Sequence, residues 1–357
     1  SDFAVARYTS NGSLDTSFSG DGIVLTNLGG SRDEGTAVVR QPDGKIVVAG
    51  HSAGDFALAR YSSYGGLDLN FDGDGKVVTT VSNGNDEINA VVLQTDGKIV
   101  AAGYAWNGTN DDFALARYKS DGSLDTTFDG DGLVTTDLAG GHDRGYGVAL
   151  QSDGKIVVVG VAYNGTNDDF AVVRYRPDGS LDPDFGSLGK VLTDFAGGGD
   201  EAQDVVLQTD GKIVVVGSAS GDIALARYNP NGSLDGSFST DGKVMSDFSS
   251  SDGAKAVVLQ PDGKIVVAGT VWGGADDFAI ARYYPNGILD SNFSGDGLAV
   301  LSLKGGPEVL YDVVLQANGK IIAAGGSITN YVPDLIIDYD FTILRYHPDG
   351  SLDTSFD

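Results

Sequence analysis

The chain has 357 residues, a net charge of −27, 53 glycines and no cysteine. The missing cysteines exclude disulfides, thiol catalysis and zinc–thiolate sites, and the negative charge argues against nucleic acid or anionic lipid as a partner because both require basic surfaces. The glycines follow no G-X-Y period, which excludes collagen, and no apolar run is long enough to cross a bilayer, so we expect no membrane insertion.

Two phrases recur along the chain. The first, DFAVARY near its beginning, returns with small changes from residues 55, 112, 169, 222, 277 and 340, so the repeat length is 53 to 63 residues. The second, QPDGKIVVAG at 41–50, also returns once in each later repeat. Repeats of this length are typical of propellers, solenoids or arrays, whose units share one continuous core.

Each repeat contains four short segments rich in β-branched residues. In the second repeat they are AVVLQ at 90–94, KIVAAG at 98–103, FALARY at 113–118 and LVTTDL at 133–138. A tight TDG turn joins the first two, which indicates a β-hairpin, and none of the four has a helical period. Four short antiparallel strands per repeat predict the blade of a propeller.

We therefore predict an all-β fold, a single β-propeller domain over residues 1–357 with four-stranded antiparallel blades. The chain holds seven strands of the FALARY type and six of each other type. This count predicts six blades, with seven as the alternative, and a ring that is closed by pairing of the N- and C-terminal strands.

The whole repeat resembles a known family. The unit DFALARY, DGSLDTTFDGDG, AVVLQ, DGKIVVAG resembles the delta-sixty repeat of bacterial proteins over essentially the whole chain, and the hairpin AVVLQPDGKIVVAG at 256–269 is similar to NHL repeats. The resemblance implies a propeller in a secreted or cell-surface protein, and it supplies no catalytic residues. One repeat departs from the pattern, because FGSLGK at 185–190 replaces FDGDGK.

Each FALARY strand carries an arginine on an otherwise apolar face. Buried arginine is tolerated when it is paired, so we interpret these residues as ion-pair partners of the aspartate in the recurring SLD, such as Asp15 or Asp125. The alternative is a ring of arginines that binds an anion.

The loops of a meandering blade alternate between two faces. The QPDGK turns and the SLDTSFDGDG turns share one face, and the loops after VVAG share the other with the loops before AVVLQ. The second face varies from repeat to repeat, which is typical of a binding surface. Its aromatic and histidine side chains are predicted to bind a ligand, and the alternative is that they pack on neighbouring blades. They are Tyr104, Trp106, Tyr163, Trp272, Tyr331, His51 and His142.

One turn contains the core of a calcium loop. DLNFDG at 68–73 fits the pattern D-x-[DN]-x-[DN]-G, although the distant glutamate of an EF-hand is missing. The predicted Ca²⁺ ligands are Asp68, Asn70, Asp72 and Asp74. The alternative is a set of Asx-type turns that their own side chains stabilise.

Motifs for catalysis are missing from the sequence. There is no G-x-S-x-G, HExxH or P-loop, and the three histidines have no adjacent nucleophile motif. We therefore predict that the protein is not an enzyme but a binding or scaffold propeller, extracellular or on the cell surface, that contacts a glycan or a protein through its variable face. The alternatives are a carbohydrate-active lyase or hydrolase on the same scaffold and a structural spacer.

Overall fold

A computed structural model describes residues 1–272, 275–303, 306–328, 331–332, 335–336 and 339–356, with the side chains of 331–339 outside this description. The protein is an all-β, six-bladed propeller of four-stranded antiparallel blades, as the sequence predicted. None of the described residues forms a helix that is long and apolar enough to span a membrane. The chain forms two compact units, Ser1–Leu192 and Thr193–Asp357. The single domain over residues 1–357 stays a prediction.

The strands recur in a regular pattern along the chain. The first part of the chain forms β1 (Phe3–Ala6), β2 (Ile23–Thr26), β3 (Asp33–Arg40), β4 (Ile46–Ser52), β5 (Asp55–Tyr61), β6 (Lys76–Thr79), β7 (Asp86–Leu93), β8 (Ile99–Trp106), β9 (Asp111–Tyr118), β10 (Leu133–Thr136), β11 (Asp143–Leu150), β12 (Ile156–Tyr163), β13 (Asp168–Tyr175) and β14 (Lys190–Thr193). The remainder forms β15 (Asp200–Leu207), β16 (Ile213–Ala219), β17 (Asp222–Tyr228), β18 (Lys243–Ser246), β19 (Asp252–Leu259), β20 (Ile265–Trp272), β21 (Asp276–Tyr283), β22 (Leu298–Leu301), β23 (Glu308–Leu315), β24 (Ile321–Ile328), β25 (Tyr331–Val332), β26 (Leu335–Ile336) and β27 (Tyr339–Tyr346).

Four consecutive strands make each complete blade. The complete sheets are β3–β6, β7–β10, β11–β14, β15–β18 and β19–β22, and in each of them chain neighbours are also sheet neighbours. The ends of the chain contribute a two-stranded sheet, β1–β2, and a three-stranded sheet, β23–β24–β27, while β25 and β26 pair separately. Closure by pairing of the terminal strands stays a prediction.

The recurring DGK turn closes the hairpin between the first two strands of a blade. In the first complete blade Gln41 N donates to Lys45 O at 2.8 Å, and Asp43 Oδ1 accepts from Lys45 N at 3.1 Å. Gly44 has a φ of 89°. Because side chains rarely adopt this left-handed conformation, the turn requires glycine at that position.

The third strand of each blade lies in the core. In β9 every residue from Asp111 to Tyr118 is buried, because the blade packs against a neighbour on each side. The tyrosine that ends such a strand reaches back to the preceding blade. Tyr61 Oη, for example, donates to Thr26 Oγ1 at 2.7 Å.

Within each unit, the first strands of neighbouring blades contact one another. The first strand of each complete blade has a β-bulge. In β7 the bulge residue is Asn89, and its Nδ2 donates to Gly145 O of β11 at 2.8 Å. Leu25 of β2 and Val78 of β6, both on fourth strands, are exposed.

The arginines of the FALARY strands form joints between successive repeats. Arg60 Nε donates to Asp68 Oδ2 at 2.9 Å, and the guanidinium lies 4.5 Å from the centroid of the Phe71 ring. The same arginine donates from NH1 to the carbonyl of Ser120 in the next repeat, and Lys45 Nζ lies 3.1 Å from Asp68 Oδ2. The predicted arginine–aspartate pairing is confirmed in all seven repeats. The pairs are Arg7–Asp15, Arg60–Asp68, Arg117–Asp125, Arg174–Asp182, Arg227–Asp235, Arg282–Asp290 and Arg345–Asp353.

Candidate functional site

A cleft of about 430 Å³ opens on the variable face of the first unit. It lies where β8 ends and β9 begins, beside the loops that precede β7 and β11. Its lining residues are Gly84, Asn85, Tyr104, Trp106, Asp111, His142 and Arg144. Tyr104 and Trp106 end β8, Asp111 begins β9, and the other residues lie at or just before the starts of β7 and β11. The contacts therefore agree with the predicted sharing of one face.

The indole of Trp106 forms one wall of the cleft. Trp106 is the last residue of β8 and pairs with Asp111 of β9. Its ring centroid lies 6.1 Å from that of His142, with the planes tilted by 35°. A Cβ atom at position 84 would collide with the Trp106 side chain. The loop before β7 can therefore pass the indole only because Gly84 has no side chain.

Asp111 joins the two basic side chains of the cleft. The carboxylate is buried, and its Oδ2 accepts from Arg144 Nε at 2.6 Å and lies 3.2 Å from His142 Nδ1. The backbone amide of Asp111 also lies 3.3 Å from the same ring nitrogen. The carboxylate therefore balances the charge of Arg144 and fixes the orientation of a largely exposed imidazole.

Tyr104 forms the inner wall of the cleft. It is paired across the strands with Glu87 of β7, and the Arg144 guanidinium lies 5.0 Å from the centroid of its ring. Burial, together with the hydrogen bond to Glu87, raises the pKa of Tyr104 above its usual range. The phenol is therefore a neutral hydrogen-bonding group at physiological pH.

The arrangement supports two kinds of chemistry. Aromatic rings with polar groups at their edges suit a ligand that has both apolar and hydroxyl-bearing surfaces. A histidine held by a carboxylate suits proton transfer, because the carboxylate orients the ring and stabilises its charged form.

The structure brings together three of the seven predicted ligand-binding residues: Tyr104, Trp106 and His142. Trp272 lies at the end of β20 in the second unit and is 44% exposed, and Tyr163 lies at the end of β12 and is 39% exposed.

The remaining two predicted residues lie elsewhere. Tyr331 lies in β25, and its side chain is outside the described residues. The expectation that His51 lies on an exposed loop is wrong, because it belongs to β4 and is 6% exposed. The reason is that the second strand of the blade runs on past VVAG, so that His51 pairs with Glu34 of β3 and Phe56 of β5. Tyr104, Trp106, Tyr163 and Trp272 likewise lie in strands.

Sequence reasoning missed Asp111 and Arg144. The sequence does contain a signal for Arg144. A buried acid begins the first strand of each blade, and the residue after it is a glutamate in three other repeats, namely Glu34, Glu87 and Glu201. A basic residue there is a local reversal of charge. Asp111 gave no such signal, since aspartate is common throughout the chain.

The predicted calcium ligands of the turn at 68–73 make contacts within the protein, and the calcium site stays a prediction. Asp68 Oδ2 is occupied by Arg60 and Lys45, and its Oδ1 accepts from Asn70 N at 3.2 Å. Asp72 has a φ of 51°, and its amide donates to the Asp121 carbonyl of the next repeat at 2.7 Å.

The last of the four predicted calcium ligands also serves the turn. Asp74 Oδ1 accepts from Lys76 N at 2.9 Å. Asp68, Asn70, Asp72 and Asp74 therefore take part in a turn and in a joint between repeats.

Carboxylates that could hold a metal ion converge at other places. Within the first unit they are Asp112, Asp137 and Asp143, and within the second unit Asp222, Asp247 and Asp252. In each group one oxygen of every carboxylate lies within 4.8 Å of the others. Burial, together with the neighbouring charges of Asp137 and Asp112, raises the pKa of Asp143 to about 6.

The sequence matches a family described as a domain of unknown function (DUF5122) beta-propeller. The matched residues are 1–18, 41–71, 94–128, 151–185, 208–238, 260–293 and 316–356, which together make up more than half of the chain. The chain belongs to this family. Membership of a bacterial β-propeller repeat family, which the recurring phrases indicated, is therefore confirmed. No curated protein matches the chain.

Solved structures with a similar fold come from several bacteria. A catalytically inactive virginiamycin B lyase from Staphylococcus aureus with quinupristin is 12% identical, with a TM-score of 0.51 over 89% of this chain and 93% of that one. The periplasmic gluconolactonase of Pseudomonas aeruginosa is 15% identical, with a TM-score of 0.56 over 98% and 93%. The extracellular domain of a putative one component system from B. thetaiotaomicron is 17% identical, with a TM-score of 0.50 over 91% of this chain and 33% of that one.

These structures correct one prediction of the sequence analysis. The prediction that the protein is not an enzyme is wrong, because it relied on missing motifs and this fold includes a lyase and a gluconolactonase. At such low identity the likeness shows the fold alone. Enzymes on propellers assemble their sites from loops of separate repeats, so a linear motif is not required.

Proposed function

We propose that the protein binds a carbohydrate through the cleft formed by Tyr104, Trp106, Asp111, His142 and Arg144. The observation that carries this proposal is the convergence of two aromatic rings with a charge-balanced aspartate–arginine pair in one opening of the variable face. The cleft volume of about 430 Å³ lies within the range of ~300–1,000 Å³ that is usual for small-ligand sites.

The chemistry of the lining favours a sugar over an apolar ligand. The face of a sugar ring carries C–H groups that pack on an indole, and its edge carries hydroxyl groups that need donors and acceptors. Trp106 supplies the indole surface, and Asn85, His142 and Arg144 supply the hydrogen-bonding groups.

We place this activity outside the cell or on the bacterial surface. The resemblance of the repeats to the delta-sixty type supports this location, as does the occurrence of the fold in a domain described as extracellular. The delta-sixty assignment within the family is part of the same proposal.

A glycan panel tests the proposal with a matched control in the chain. Trp272 ends β20 as Trp106 ends β8, but Thr270, Pro307 and Val309 stand where the cleft has Tyr104, His142 and Arg144. We expect wild type to bind at least one glycan, Trp106→Ala to lose that binding, and Trp272→Ala to keep it. Absence of binding by wild type, or equal binding by Trp106→Ala, would overturn the proposal.

The contact between His142 and Asp111 favours a second candidate function, a carbohydrate-active lyase or lactone hydrolase at the same cleft. His142 would accept a proton while Asp111 stabilises the imidazolium. The assays are formation of unsaturated products from polyuronates and hydrolysis of sugar lactones. We expect His142→Ala to lose activity and His347→Ala, in a turn after β27, to keep it. An inactive wild type would eliminate this candidate.

A further inference from the structure

Three carboxylates meet beside the cleft, where β9 begins and the chain passes from β10 to β11. Asp112 is the second residue of β9 and is 7% exposed, and Asp143 is the first residue of β11 and is 0% exposed. Asp137 directly follows β10 and is exposed. One oxygen from each carboxylate lies within 4.8 Å of the other two.

Two of these carboxylates keep one oxygen without a partner. Asp112 Oδ2 accepts from Asn107 Nδ2 at 2.9 Å, and Asp143 Oδ2 accepts from Leu138 N at 2.6 Å. The Oδ1 atoms of Asp112 and Asp143 are buried and have no hydrogen-bond partner in the described chain. A buried polar atom that lacks a partner is destabilising, and native structures usually satisfy it with a protein group, a water molecule or an ion.

No basic side chain of the described residues neutralises the group. Lys190 is the nearby cation, and its charge acts on Asp112, but its Nζ donates to the backbone carbonyl of Asp137 at 2.5 Å. Three acidic groups at this separation repel one another unless a cation lies between them.

We propose that Asp112, Asp137 and Asp143 hold a calcium ion. The donors are carboxylate oxygens only, without histidine or cysteine, which suits a hard cation better than zinc or copper. Asp112, Asp143 and the exposed Asp137 each supply one carboxylate oxygen, and water completes the coordination. Calcium is favoured over magnesium because it accepts irregular oxygen cages, whereas magnesium requires near-octahedral geometry. This proposal is independent of the carbohydrate proposal.

The second unit supplies a matched control. In the group of Asp222, Asp247 and Asp252, both oxygens of Asp252 are already used. Its Oδ2 accepts from Phe248 N and Ser249 N, each at 2.7 Å, and its Oδ1 accepts from the Ser249 hydroxyl. Asp222 is also only partly buried. This group lacks the buried, unpartnered oxygens, so it has less reason to take up a cation.

The test is calcium titration of the chelator-treated chain by calorimetry, with thermal unfolding as a second measurement. The main variant is Asp137→Asn, because the residue is exposed and Asn27 stands at the equivalent position of the first repeat. We expect wild type to bind Ca²⁺ and to unfold at higher temperature with it. Asp137→Asn and Asp112→Asn should weaken binding by on the order of tenfold or more, since affinity depends on the number of charged ligands. Asp247→Asn should bind as wild type does.

Four outcomes would overturn the site. The first is that wild type does not bind Ca²⁺, and the second is that Asp137→Asn binds Ca²⁺ with unchanged affinity. The third is that Asp247→Asn loses as much Ca²⁺ affinity as is expected for Asp137→Asn. The fourth is that wild type binds Mg²⁺ and Ca²⁺ with equal affinity. The readout does not depend on a glycan or an activity, so failure of the calcium site and failure of the carbohydrate site are distinguishable.

Discussion

Removal of Asp125 tests the joints between repeats most directly. The side chain is 2% exposed, and its Oδ2 accepts from Arg117 Nε at 2.8 Å and lies 3.3 Å from Lys98 Nζ. Burial alone raises the pKa of this carboxyl, but hydrogen bonds from Thr127 and the contacts with Lys98 and Arg117 bring the pKa down to about 2. The folded protein therefore favours the charged form of Asp125.

We expect Asp125→Ala to lower the free energy of unfolding by about 3 kcal/mol. Removing one partner of a buried ion pair costs about 3–5 kcal/mol, because the other charge stays buried without compensation. The lower end applies because Lys98 is partly exposed and can turn towards solvent. The double variant Asp125→Ala/Arg117→Met should cost less than the sum of the two single changes, since it removes both charges.

Denaturant unfolding followed by circular dichroism measures these differences. The folded pKa lies below the usual aspartate value of 3.8, so the stability that Asp125 contributes is present above about pH 4 and is lost as the pH falls towards 2. Wild type and Asp125→Ala should therefore converge in acid. A loss below about 0.5 kcal/mol at neutral pH, which is the size of an ordinary surface change, would refute the reasoning, as would parallel pH profiles.

Three further predictions concern other parts of the fold. Burial raises the pKa of Asp204 to about 7, so ionisation of this carboxyl opposes folding progressively above about pH 4. The free energy of unfolding of wild type should therefore fall relative to that of Asp204→Asn by at most about 4 kcal/mol by pH 7. A difference between the two proteins that stays constant with pH would contradict this prediction. Gly84→Ala should displace the Trp106 indole and quench or shift its fluorescence, whereas Gly199→Ala, where an added Cβ meets nothing within 4 Å, should leave the spectrum unchanged. Tyr175→Phe should cost about 1 kcal/mol in thermal unfolding, because it removes a buried hydrogen bond of 2.9 Å, and an unchanged stability would show that this bond contributes nothing.

The fold could be predicted because the same local signals return in every repeat. The DGK turn indicates a hairpin, and the FALARY segment indicates a strand that is buried on both faces. Because both segments recur in every repeat, the pattern is easy to recognise in the sequence. The pairing of Arg117 with Asp125 was predictable as well, since a buried arginine needs a carboxylate and the recurring SLD places one at a fixed distance along the chain.

The site could be predicted only in part. Tyr104, Trp106 and His142 were found because aromatic and histidine residues stand out in variable loops. Their contacts with Asp111 and Arg144 depend on how one blade packs against the next, which no local pattern specifies.

Two local patterns did not reveal the surroundings of their residues. DLNFDG has the spacing of a calcium loop, but two basic side chains that lie elsewhere in the sequence occupy Asp68 first. His51 follows VVAG in a segment that was interpreted as a loop, but the strand continues through it and pairs it with Phe56.

The joint between repeats also bears on how such a chain can grow. The guanidinium of one repeat donates to the turn carbonyl of the next, and the acceptors are Ser63, Ser120, Pro177, Pro285 and Pro348. Since the acceptor is a backbone atom, any residue can supply it. The arginine that donates, its aspartate partner and the aromatic ring beneath it all belong to the same repeat. Duplication of a repeat in the gene therefore brings a complete joint with it, while the loops on the opposite face can diverge without weakening that joint. Selection for new ligands and selection for stability thus act on separate parts of each repeat.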